Sequence, residues 1–207
     1  MLSDLSSTKR SIIETAVRLF AEKNYEIVTM RDIGEAVGIK KPSLYAHFAS
    51  KQEILDTIYD FYEEHYPAER PTLEQIEPII HDGSVIDILN SVIYNFREEY
   101  NEIMVRMAYI VYQRSHLDKR AKEIACNIMN NDGVVYVESV FNHAIELGRL
   151  APFNVHTLAV VMVNMRNSML RQSMIDQSVE SFQEALKVEQ NLLHAAAKLI
   201  TDLKPPA

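Results

Sequence analysis

The chain has 207 residues, 47% of them hydrophobic and 24% charged, with a net charge of −8, which suits a soluble globular protein of one or two domains. No stretch has the roughly 20 apolar residues needed to span a bilayer, and the opening MLSDLSSTKR lacks the apolar centre of a secretory leader, so a cytoplasmic protein with no membrane partner is expected. One cysteine, Cys126, excludes an internal disulfide and a multi-cysteine zinc site, while 5 Gly, 7 Pro and scarce β-branched runs predict a mostly helical chain.

In chain order, Ser7 or Thr8 is expected to cap a first helix running to about Lys23, with Ile12, Ile13, Ala16, Val17, Leu19 and Phe20 as its buried stripe. Asn24 follows as a left-handed cap, and Tyr25 and Val28 lead into Thr29. Thr29 caps a second helix, with Asp32 near its positive end and Ile33, Ala36 and Val37 on one face. Gly38 stops that helix, because glycine adopts positive φ without strain, and Pro42 suits the first turn of a third. There Leu44 and Phe48 face inward and leave Pro42, Ser43, Tyr45, Ala46 and His47 on the outer arc. Gly34 is a small residue where two crossing helices meet. This is the layout of a helix-turn-helix whose second helix enters a DNA major groove; an ordinary helical corner shares the pattern.

Ser50 and Glu53 form a capping box for a fourth helix that ends near Tyr66, before Pro67. Residues 67–83, PAERPTLEQIEPIIHDG, hold three prolines and a glycine and are expected to be a connector with at most a short helical turn; Glu77, His81 and Asp82 read as a solvated cluster there. Helical period resumes at Ser84, with Val85, Ile88, Leu89, Val92, Ile93 and Phe96 on one face. Glu102–Ser115 is the next helix, and a long one spans about Leu117 to Leu147, with a kink at Asn130–Gly133 and Gly148 as its stop. Asn154 opens an eighth helix, whose run Leu158–Val163 has no polar break, and Asp176 or Ser178 opens a ninth. The ninth carries two stripes: Ala185, Val188, Leu192, Ala195 and Leu199, and beside it Phe182, Leu186, Leu193, Ala196 and Ile200. Together they exceed the width one chain usually buries, so helices eight and nine are expected to form a four-helix bundle with their copies across a two-fold axis.

The charge is unevenly spread. Residues 1–55 hold 8 Lys/Arg against 7 Asp/Glu, net +1, and the remainder holds 13 against 22, net −9. Acid is thus concentrated away from the helix-turn-helix. A weakly basic head implies few phosphate contacts, with log affinity falling by roughly 0.9 per neutralised phosphate per log unit of salt.

Ile12 to Leu55 resembles the DNA-binding domain of the TetR (TetR/AcrR) family of bacterial transcription regulators. The residues that carry the resemblance are Leu19-Phe20-Ala21-Glu22-Lys23, Thr29 through Gly38, and Ser43-Leu44-Tyr45-x-His47-Phe48 followed by Ser50-Lys51. They cover about a fifth of the chain; Asn24 stands where the family favours glycine and Gly34 where it favours alanine. The resemblance implies an all-α fold of about nine helices, with an N-terminal three-helix DNA-binding domain over 1–50 and a helical effector-binding and dimerisation body over 51–207. Carried over by position, Thr29 and Arg31 contact the DNA backbone and Lys41, Pro42 and Ser43 face the bases. Tyr45, His47 and Lys51 grip phosphates. The chemistry agrees: Lys41 can donate to guanine, Pro42 can pack on a thymine methyl, and hydroxyl and ammonium groups serve phosphate oxygens.

The implied activity is that of a ligand-responsive regulator, in the family's commoner habit a repressor, binding a palindromic operator as a homodimer. The expected effector is a small hydrophobic or aromatic molecule met by Tyr59, Tyr62, Tyr66, Tyr94, Met104, Met107, Tyr112, Phe141, Met162 and Met165, groups that are adaptable or aromatic but that core packing also uses. Arg106 is a candidate polar group there, or the partner of a neighbouring acid. Control by a partner protein, with no small-molecule pocket, is the alternative. No Gly-rich phosphate loop, nucleophile elbow or HExxH motif is present, so neither enzymatic activity nor a cofactor or metal is expected.

Overall fold

The computed structural model describes residues 5–68, 70–94, 102–176 and 179–202. They form α1 (Ser7–Lys23), α2 (Met30–Val37), α3 (Lys41–His47), α4 (Lys51–Ala68), α5 (Leu73–Asp82), α6 (Val85–Tyr94), α7 (Glu102–Arg114) and α8 (Lys119–Ile124). A π-helical run, Ala125–Asn131, then leads into α9 (Asp132–Glu146), α10 (Val155–Asp176) and α11 (Val179–Asp202). Among the described residues every regular element is helical. Phe96 and Ser178, and the side chains of Ile93, Tyr94, Asp176, Phe182, Ala185 and Leu186, lie outside what the structure describes.

The chain divides into two compact units, Met1–Tyr66 with Asn101–Ala125, and Pro67–Tyr100 with Cys126–Ala207. In the first, α1 buries the full expected stripe and packs against α2 and α7. Its cap is Ser6, which accepts from the Lys9 N–H at 3.4 Å, so Ser7 is already the first helical residue rather than the cap. Asn24 has the expected positive φ, 73°, but its ψ of 140° is extended rather than left-handed helical. At α4, Ser50 Oγ accepts from the Glu53 N–H at 3.1 Å, and the Glu53 carboxylate reaches one residue further back than a capping box does, to the Ala49 N–H at 2.6 Å. The helix runs through Pro67 to Ala68, since a proline in the last turn forfeits a single hydrogen bond. Asp118 caps α8 by accepting from the Arg120 and Ala121 N–H groups. The Arg120 guanidinium joins α8 to Asp60 (2.6 Å) and Glu63 on α4, and Arg106 joins α7 to Glu22 on α1 at 3.2 Å, which settles Arg106 as the partner of an acid.

In the second unit the expected connector is largely a helix. Thr72 and Gln75 form a complete capping box, and Ile76 and Ile80, four residues apart, are buried beneath α5. Pro78 lies inside this helix and removes one hydrogen bond, less than the burial gains. Arg149 closes the other end, donating to the carbonyls of Ile80 (3.1 Å) and Gly83 (2.9 Å). The solvated cluster is only partly so: His81 and Asp82 are exposed, but Glu77 pairs with His143 at 2.7 Å. The core runs from Ile76 and Ile80 through Ile88, Leu89, Val140 and Phe141 to Met162, Leu193 and Ile200.

The single long helix expected over 117–147 is three elements, and the kink expected at Asn130–Gly133 is the end of the π-helical run. A π turn leaves carbonyls without their usual partners, and two side chains serve them here. Arg70 donates to Ile128 O at 2.8 Å and Asn167 to Met129 O at 3.4 Å, with a second bond from Asn167 to Asn130 at 2.8 Å. Gly148 ends α9 at φ 68°, as expected.

Candidate nucleic-acid interface

The head is built from its caps inward. The Thr29 hydroxyl accepts from the Asp32 N–H at 3.2 Å and donates to the Asp32 carboxylate at 2.6 Å, which in turn accepts from the Thr29 N–H at 2.8 Å. These bonds, the Thr29 hydroxyl first among them, hold the Asp32 carboxyl below the usual carboxylate range. At the far end Gly38 sits at φ 79°, ψ 25°, its N–H on the carbonyls of Gly34 (3.0 Å) and Glu35 (3.2 Å), with the Ile39 N–H also on Gly34 O. The chain therefore turns sharply into α3. Leu44 and Phe48 are buried as expected; on α2 the buried face is Ile33 and Gly34, with Val37 half-buried and Ala36 exposed.

The solvent side of this turn is a groove of about 680 Å³. Four of the expected DNA contacts line it, Thr29 and Arg31 from the start of α2 and Lys41 and Tyr45 from α3, together with Met30, Gly34, Glu35, Ile39 and Lys40. Lys40 and Met30 were not singled out in the sequence, although the doublet Lys40-Lys41 marks the basic edge. Arg31 is strongly exposed and pairs with Glu35 at 2.7 Å; the Lys41 ammonium lies 5.6 Å from the Tyr45 ring centre. Pro42 and Ser43 are exposed at the start of α3, outside the groove, and His47 is half-buried.

Lys51 is placed differently. Its ammonium donates to the carbonyls of Tyr25 (2.7 Å) and Val28 (2.8 Å), with Glu26 O at 3.5 Å, and lies 4.2 Å from the Tyr25 ring centre. Burial holds its pKa below the ordinary lysine value. Its donors are spent on the α1–α2 loop.

The expected effector lining is split between the two units. Tyr59, Tyr62 and Tyr66 on α4 and Met104 and Met107 on α7 are buried in the first unit, with Tyr112 half-buried; Tyr62 and Tyr66 stack at 4.7 Å. Phe141 and Met162 belong to the core of the second unit and Met165 is half-buried there, whereas the Tyr94 side chain lies outside the described residues. No helix of the described residues is long and apolar enough to cross a membrane.

Residues 12–58 match the family model for bacterial regulatory proteins, tetR family. The biofilm operon icaADBC HTH-type negative transcriptional regulator IcaR of Staphylococcus aureus (strain Newman) is 50% identical over 48 residues, 23% of this chain and 26% of the relative. The chain thus spans about a quarter of the length of the curated relatives it matches. Over the whole fold, a chain from Saccharomonospora viridis solved in complex with choline superposes with a TM-score of 0.67 at 16% identity, covering 92% of this chain and 97% of that one. The SmeT–triclosan complex superposes at 0.61 and 18% identity, covering 92% and 91%. Residues 12–58 are thus similar in sequence to the N-terminal module of bacterial regulatory proteins of the tetR family, and the chain as a whole shares the fold of these solved proteins.

Proposed function

We propose that residues 1–50 read a palindromic DNA operator and that residues 51–207 form a dimerising, effector-sensing body, the whole acting as a cytoplasmic repressor of transcription. The observation that carries the reading is the convergence of Thr29, Arg31, Lys41 and Tyr45 on one exposed groove, with Pro42 and Ser43 free on the arc beside it. Arg31 and Lys40 supply charge for phosphates, and Lys41, Pro42 and Ser43 meet base edges. Tyr45 and His47 complete the phosphate contacts. Lys51 we assign instead to holding the α1–α2 loop, because its donors are already taken. Repression is supported by the negative regulator that shares the head.

Two copies are needed to meet half-sites roughly 34–36 Å apart. Dimerisation through α10 and α11 is supported by what those helices leave uncovered in one chain. Leu193, Ala197 and Ile200 pack inward, while Val188, Leu192, Ala195 and Leu199 remain exposed along one face of α11, as does Val161 on α10. The effector is a small hydrophobic or aromatic molecule, in keeping with the triclosan held by one protein of this fold; the choline held by another is a quaternary ammonium cation of the kind that aromatic rings also bind. We assign its recognition to Tyr59, Tyr62, Tyr66, Met104, Met107 and Tyr112, with Phe141 and Met162 as packing residues of the second unit. Release from DNA requires only that the effector prefer the DNA-incompetent state, and a hundredfold preference is worth roughly 2.7 kcal/mol.

The test is a comparison of two variants on operator and random DNA. Lys41→Ala is expected to relax base preference, whereas Arg31→Ala weakens all sequences and lowers the salt slope by about one. Equal effects of both changes on both kinds of DNA would contradict the assignment.

A further inference from the structure

The loop from Asn24 to Val28 delivers the chain into Thr29 and has little structure of its own. Its internal hydrogen bonds are long, 3.3 Å from the Ile27 N–H and 3.4 Å from the Val28 N–H to Asn24 O, and Asn24 holds a positive φ. Its second residue, Tyr25, is nevertheless 8% exposed and fixed on every side. The ring meets Phe20 edge-on at 5.1 Å, and its hydroxyl donates to Gln52 at 3.1 Å. Two cations approach it, Lys51 of α4 at 4.2 Å and Arg114 of α7 at 4.6 Å from the ring centre.

Arg114 does more than stack. Its side chain is 11% exposed, and its guanidinium pairs with the carboxylate of Glu26, the residue after Tyr25. It also lies 3.9 Å from Asp118, which accepts from Tyr59 of α4 at 3.3 Å. Its carbonyl accepts from the Leu117 and Asp118 N–H groups, both at 2.8 Å, and so fixes the α7–α8 corner. A single residue thus ends α7, builds the corner after it, and holds the loop that sets the first wall of the groove. Bidentate, planar and stacking donors suit this task, and a lysine would supply the charge without the geometry.

We propose that Arg114, through Glu26 and Tyr25, is a positioning residue for DNA reading: displacement of the C-terminal end of α7 is passed to Thr29 and the start of α2 through this clasp. The inference rests on the groove being the DNA-reading surface. The clasp couples the two ends by an ion pair, its guanidinium buried and its carboxylate exposed, and by a packed ring, so parting Arg114 from Glu26 frees the loop while leaving α2 and α3 folded.

Glu26→Gln, Arg114→Ala, Arg114→Lys and the Glu26→Gln/Arg114→Ala double variant are compared with the parent chain for binding to an operator fragment and to random-sequence DNA at equal salt. Each single loss of the pair lowers operator affinity about tenfold, the double variant loses no more than the worse single one, and random-sequence affinity does not fall. Arg114→Lys falls between. Equal proportional losses on both DNAs, additive losses, or operator binding at the parental level would overturn the proposal. Should Arg114→Ala fail to fold, Glu26→Gln, on a half-exposed side chain, carries the same test. Hydrogen exchange over residues 25–30 keeps the clasp separate from the DNA reading. Faster exchange in Glu26→Gln supports it even if the parent chain binds no DNA, and unchanged exchange counts against it.

Discussion

Gly34 and Gly38 stand four residues apart at the heart of the helix-turn-helix, and the structure gives them opposite requirements. Gly38 needs its left-handed backbone, φ 79°, although a Cβ there would meet nothing within 4 Å. Gly34 has helical backbone, and an added Cβ would touch Leu44 Cδ2 at 3.4 Å and Ile39 O at 3.5 Å, ordinary packing distances. The small residue expected from close helix crossing is therefore not forced by space. Gly34→Ala is expected to stabilise the fold by about 1 kcal/mol through helix propensity. Gly38→Ala is expected to cost about 1–2 kcal/mol through left-handed strain. Urea unfolding of the two variants checks both signs, and a destabilised Gly34→Ala would show that α2 and α3 cannot part by the small amount required. The Thr29–Asp32 box has a pH signature. Because the carboxyl is held below its unfolded pKa, its contribution is complete above the ordinary carboxylate range and is lost as pH falls through the folded value.

Among elements, the helix-turn-helix was legible because each of its signals is local: a threonine cap, a glycine stop, a proline start and a four-residue apolar spacing. What lay beyond reach depended on distant partners. Nothing in the sequence around Lys51 says that its ammonium turns onto Tyr25 and Val28 O, so motif position alone assigned it to phosphate. Likewise Arg114 lies 88 residues from Glu26, and no spacing rule joins them. The connector at 67–83 failed for another reason. Three prolines outweighed the Thr72–Gln75 box, yet two of them fall outside α5 and only Pro78 interrupts it. Thr72→Ala is expected to cost about 1 kcal/mol by leaving N-terminal donors of α5 unpaired, read as a lower unfolding midpoint in urea. An unchanged midpoint would mean that burial of Ile76 and Ile80 alone holds the helix.

At the scale of the whole molecule, an acid body and a nearly neutral head, net −9 and +1, fit the proposed reading in which DNA affinity rests on few contacts and on two heads acting together. The expected second stripe of α11 is the one that packs within the chain, at Leu193 and Ile200, and the first, at Val188, Leu192 and Leu199, stays exposed and is the face proposed for dimerisation. Placing charges on it, as Leu192→Glu with Leu199→Glu, is expected to give a folded monomer by sedimentation that has lost tight operator binding, because a single head forfeits the second half-site. A dimer that survives both charges would move the interface elsewhere. The most direct measurement is retardation and footprinting of the promoter fragment beside the protein's own gene, at low ionic strength and without effector. Two protected segments on one face, one helical turn of DNA apart and losing protection together as salt rises, are expected. Failure of the purified protein to retard any such fragment would contradict the reading head itself.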